Sequence, residues 1–118
     1  MPLMLLLAAC AGTAARQQVL LPAIAGAWSD VRLQVVRELL QVPNTEATAA
    51  VAAADRAIAS GDAVQVATVP WPLIEQTALA DVDRRLAADQ IGPLVAESLR
   101  GRITDLRESI ALYIRRIP

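Results

Sequence analysis

At 118 residues the chain has room for one domain, and its charge is nearly balanced, with eleven basic residues against twelve acidic ones. That balance supplies no field to draw it to nucleic acid. With no histidine and one cysteine it cannot build a His–Cys metal site, a Ser–His–Asp triad or an internal disulfide. Aromatic residues make up only 3% (Trp28, Trp71 and Tyr113), so a hydrophobic fraction of 55% rests on Ala, Val, Leu and Ile, a mixture suited to closely packed helices. All the basic residues are arginine, which together with the abundant alanine reads as a GC-rich coding bias rather than a binding signal.

At the front, Leu3 to Ala9 form a short apolar run that closes on two small residues before Cys10. The run falls far short of the roughly 20 apolar residues of a spanning helix. An apolar segment and a small-residue cleavage site are two of the three parts of a secretory signal; Met1-Pro2-Leu3-Met4 lacks the basic third part. Leu7-Ala8-Ala9-Cys10 resembles the lipobox of bacterial prolipoproteins, and the resemblance covers the first dozen residues. It implies a signal segment over 1–9 cut after Ala9, diacylglycerol on the Cys10 sulfur and acylation of the new amino terminus. Ala11, where an aspartate would retain the protein at the inner membrane, implies sorting to the outer membrane, facing the periplasm. Residues 10–18 then form the lipidated cysteine and a short tether, and the full precursor is expected to begin upstream of Met1. Two or more acyl chains make such an anchor stable. The competing reading makes Cys10 a small buried apolar residue at the start of a cytosolic helix.

From Arg16 onward the apolar spacing is helical. A first segment is predicted from about Ala14 to Val42, interrupted by Pro22 and Gly26. In its firmer half, from Ser29, the residues Val31, Val35, Val36, Leu39 and Leu40 form a stripe, with Arg32, Gln34, Arg37, Glu38 and Gln41 facing elsewhere. Pro43-Asn44-Thr45 ends it, and Asn44 or Thr45 caps a second helix from Thr45 to Ser60 with a narrow Ala47, Val51, Ala54, Ile58 seam, stopped by Gly61. Ala63 to Val69 is predicted to be a short strand or a connector. Pro70-Trp71-Pro72 leads into a third helix, Leu73 to Asp89, with Ile74, Ala78, Val82 and Leu86 in one row and Asp81 paired with Arg85 at i,i+4. Gly92-Pro93 opens a fourth, whose Leu99, Ile103, Leu106, Ile110, Tyr113 and Ile117 repeat at 4-3-4-3-4. That seam is either the helix's share of the bundle core or a homo-oligomer interface.

Charged and aromatic residues each carry two readings. Arg100, Arg102, Arg107, Arg115 and Arg116 either meet anionic partners or offset the carboxyl-end helix dipole, diluted by Asp105 and Glu108. Asp81, Asp83 and Asp89 read as a solvated face rather than a cation site, since positions two apart diverge on a helix and no calcium loop surrounds them. Trp28 and Trp71 read as core plugs ahead of a ligand groove or a lipid-interface belt. No pair of groups with separated proton affinities marks a catalytic centre, so neither an enzyme nor a cofactor is expected.

The fold expected over residues 19–118 is all-α, a small bundle of about four helices in two tryptophan-led hairpins that could be a duplication. The expected function is that of a membrane-anchored interaction or structural module of the cell envelope, held by lipid on Cys10 and meeting a protein partner. Alternatives are a helical carrier of a hydrophobic ligand, a phage or prophage lysis lipoprotein, and a soluble cytosolic helical protein. A carrier needs an internal apolar cavity of several hundred Å3. An interaction module needs a filled core and an exposed apolar or arginine-lined face.

Overall fold

The computed structural model describes the backbone of residues 2–115 and the side chains of residues 20–115. It is all-helical there, with five helices: α1 (Pro2–Gln41), α2 (Thr45–Ser60), α3 (Ala63–Thr68), α4 (Trp71–Ala87) and α5 (Pro93–Ile114). The lipobox residues Leu7, Ala8, Ala9 and Cys10, the 10–18 tether, Arg116 and Ile117 lie outside the residues whose side chains are described.

Against the expected break, α1 runs on through Pro22 and Gly26. Proline costs a helix interior about 3 kcal/mol and glycine about 1. Ile24, Trp28, Val31 and Val35 are all buried on one face, and each such side chain returns about 1.5–3 kcal/mol. Tertiary packing therefore outweighs local propensity here. The second helix has the expected bounds: the Asn44 side chain accepts from Ala47 N–H at 3.0 Å, and Gly61 ends the helix in the left-handed region at φ 69°. Ala63–Thr68 forms a helix, neither strand nor simple connector, and it raises the helix count to five. Asp62 caps it by accepting from Val64 N–H at 3.0 Å. A strand would put Val64 and Val66 on one face, whereas the helix buries Val66 and leaves Val64 outside.

The fourth helix starts at Trp71, two residues earlier than expected, with a proline in its first turn. It ends at Ala87, before Asp89, which takes a left-handed φ of 56°. Gln90 N–H donates to Arg85 C=O at 2.9 Å and Asp89 N–H to Leu86 C=O at 3.1 Å, a Schellman ending with aspartate in the position glycine usually holds. Gly92 and Pro93 then open α5 as expected.

Cross-helix contacts fix the arrangement. Trp28 meets Trp71 near the middle of α1 and the start of α4, and Glu38 meets Arg84 near the ends of both, so the two helices run parallel. Arg107–Glu75 and Arg100–Asp83 show α5 antiparallel to α4. The short turn after Gln41 sends α2 back along α1, with Asp55 receiving Trp28 and Arg32. The core lies among α1, α4 and α5, with α2 packed on α1 and α4. The α5 seam residues Ile103, Leu106, Ile110 and Tyr113 are buried in it. The Tyr113 hydroxyl donates to Gly61 C=O at 2.9 Å, tying the end of α5 to the α2–α3 turn.

Candidate functional site: an arginine-lined cleft

The described side chains contain no cluster of three or more potential metal ligands, and no described helix is long and apolar enough to cross a membrane. The two tryptophans pack on each other, edge to face, with centroids 5.8 Å apart and planes at 79°. Trp28 is buried and donates to Asp55 Oδ1 at 2.8 Å; Trp71 is half-buried and donates to Val66 C=O at 2.8 Å. Both are occupied within the fold, as core plugs. Partial burial works to raise the Asp55 carboxyl, but hydrogen bonds from Arg32 and Trp28 and the Arg32 charge together hold it below its ordinary range.

The chemistry concentrates instead where α1 and α4 end side by side. Continuing the 4-3 spacing of α1 from Ile24 through Trp28, Val31 and Val35 brings Glu38 onto the packed face, and Gln34 adjoins it one turn earlier. Both were expected to face outward; both are buried, while Leu40, expected in the stripe, is 77% exposed. On α4 the same 4-3 step from Ile74 through Ala78 reaches Asp81, which is 3% exposed, contrary to its reading as part of a solvated face. Asp83 and Asp89 are exposed, as read.

These buried acids are met by arginines at the rim. Arg84 holds Glu38 with two parallel hydrogen bonds, Nη2 to Oε1 at 2.8 Å and Nε to Oε2 at 3.0 Å. Arg84 is half exposed while the Glu38 side chain is nearly enclosed, so removing the arginine would leave the enclosed carboxylate without its partner. Arg85 approaches Asp81 at 3.7 Å, the expected i,i+4 pair, but Asp81 Oδ2 has no hydrogen-bond partner. Burial pushes the Asp81 carboxyl above the ordinary carboxylate range; the charges of Arg85 and Arg37 pull it back, Glu38 pushes it further up, and burial prevails. Gln34 is left with both amide atoms enclosed and unpartnered.

Above this layer opens a cleft of about 390 Å3 lined by Arg37, Leu40 and Gln41 from α1, Asp81, Arg84 and Arg85 from α4, and Gln90 from the following turn. Of the three arginines that line it, Arg84 is paired with Glu38 outside the cleft wall and Arg85 with Asp81 on it, which leaves one positive charge in excess, since Arg37 forms no ion pair among the described residues. The cleft was hidden in the sequence because Gln34 and Glu38 read as outward-facing alongside Arg37, which alone of the three is exposed. The usable signal was the uninterrupted 4-3 spacing, which carries both helices' seams onto acidic residues.

The basic tail behaves differently. Arg100 and Arg107 pair with Asp83 and Glu75 at 2.8 and 2.9 Å, bridging α5 to α4 across the surface. The apolar pocket between α1, α4 and α5, bounded by Val31, Trp71, Ile74, Ile103, Leu106 and Ile110, measures about 20 Å3, room for about one water molecule. Compared with known protein families, curated proteins and solved structures, the chain shows no match.

Proposed function

We propose that the chain is a lipid-anchored interaction module of the bacterial envelope, tethered through Cys10 and presenting its arginine-lined cleft to a partner away from the membrane. The observation that carries this reading is the polarity of the bundle. Leu21 packs beside Gly61 at the pole nearer the lipobox, where Tyr113 also ends α5. The cleft lies at the opposite pole, around Arg37 and Gln41. At 1.5 Å per residue, the stretch of α1 from Leu21 to Gln41 separates the two poles by about 30 Å. An anchor at one end and an open charged cleft at the other suit a protein that holds something at a distance from a bilayer.

The filled interior supports an interaction module over a carrier, since about 20 Å3 between α1, α4 and α5 is far below the several hundred Å3 a lipid needs. With its inner seam occupied, a homo-oligomer through α5 would use the outer face, where Leu94, Val95 and Leu112 are exposed. The two hairpins, α1–α2 and α4–α5, have parallel leading helices, each bearing a tryptophan of the central pair; that supports a duplicated unit with α3 as the connection.

The test is the intact mass of the protein from bacterial membranes beside a Cys10→Ala variant, expressed with any upstream start the genome offers. The expected result is a mature chain beginning at Cys10 with added acyl mass, lost in the variant. An unmodified soluble chain would refute the anchor.

A further inference from the structure

We infer that the α1/α4 cleft binds a carboxylate carried on an aliphatic group. This builds on the proposed function only for the direction in which the cleft faces.

Arg84 is committed to Glu38 through two hydrogen bonds, and Arg85 leans toward Asp81 at 3.7 Å. Arg37, in the same cleft, has no anionic partner among the described residues. The excess is a single positive charge, which a monoanion neutralises. A carboxylate accepts a planar two-pronged guanidinium contact, so Arg37 and Arg85 are the groups placed to hold one. The Gln41 and Gln90 amides on the cleft wall supply further donors. Leu40, 77% exposed on the same wall, offers an apolar surface beside the charge.

At about 390 Å3 the cleft lies within the range of small-molecule sites and has room for an amino-acid-sized group. Asp81 is the one carboxylate among the lining residues and is 3% exposed, so the bound carboxylate sits with the more exposed guanidinium groups. The chemistry is that of a peptide chain end or an acidic side chain with an aliphatic neighbour.

The experiment uses the full chain as its Cys10→Ala variant, so that failure of the anchor and failure of the cleft are read separately. The side-chain N–H signals of Arg37, Arg85, Gln41 and Gln90 are followed by NMR during titration with N-acetylleucine, N-acetylleucine amide, acetate and inorganic phosphate. N-acetylleucine is expected to give saturable shifts at these four residues, with an affinity on the order of millimolar. Its neutral amide is expected to give none. Arg37→Gln should weaken binding at least about fivefold, Leu40→Ser less, and Arg102→Gln, on another part of the surface, not at all. Absence of saturation, an equal response to the neutral amide, or indifference to Arg37→Gln would overturn the site. Phosphate binding as tightly as N-acetylleucine would overturn the carboxylate assignment, and acetate binding as tightly would overturn the aliphatic contact.

Discussion

Gln34 and Asp81 sit where an apolar side chain would be expected, and both are incompletely satisfied. A buried donor or acceptor without a partner costs about 1–3 kcal/mol, so Gln34→Leu, which removes two such atoms at similar volume, should raise stability by about 1 kcal/mol or more. Chemical denaturation measures it as a shift in midpoint at unchanged slope; a lowered midpoint would mean that Gln34 is paired in solution. Asp81 makes a pH-dependent prediction. Its folded pKa is raised, so its contribution is fully present below the unfolded carboxylate value of about 3.9 and is lost as pH rises through the folded value. Asp81→Asn should remove that loss, so its melting temperature should gain on the parent as pH rises above the unfolded value of about 3.9. Asp55, held low in the folded chain, acts in the opposite sense: its contribution is present above the unfolded value and fades as pH falls through the depressed one. The acid-side loss from Asp55 should therefore persist in the Asp81 variant, and a single set of melts across the range reads both.

At the scale of elements, the two left-handed helix ends use different residues. Gly61, at φ 69°, adopts that conformation without penalty, and a Cβ there would stand 3.2 Å from Leu21 Cδ2. Asp89, at φ 56°, bears the cost that a side chain brings to the region, about 1–2 kcal/mol. The substitutions should therefore diverge: Asp89→Gly should stabilise by up to about 1 kcal/mol, and Gly61→Ala should destabilise by at least that much. Thermal melts of the pair test this, and a shared sign would contradict the assigned backbone. The same positions show how far sequence reaches. Asn44, Gly61 and Gly92-Pro93 were legible because each carries a local mechanism for starting or stopping a helix. The Asp89 ending was not, because aspartate carries no comparable bias and the ending depends on two backbone hydrogen bonds. Continuity of α1 across Pro22 was hidden for a related reason, since it rests on the burial of Ile24 and Trp28 by distant segments. For α3, a six-residue stretch with two valines and a threonine looked the same as strand or connector until the Asp62 cap and the burial of Val66 were known.

At the scale of the molecule, composition and periodicity were enough for an all-helical class, because no competing pattern of alternation occurs. The pairing of α1 with α4, rather than a simple sequential order of neighbours, required the three-dimensional structure, and so did the cleft that depends on it. The tryptophan pair has a further consequence. The chain contains no phenylalanine and one tyrosine, so nearly all of its near-ultraviolet absorption comes from two indoles held 5.8 Å apart at a fixed angle. One ring belongs to α1 and the other to α4, the two helices that form the cleft. The protein thus carries its own optical gauge of that junction: coupled near-ultraviolet dichroism would report whether the two helices are docked, and would collapse on their separation even while the helices themselves remain wound.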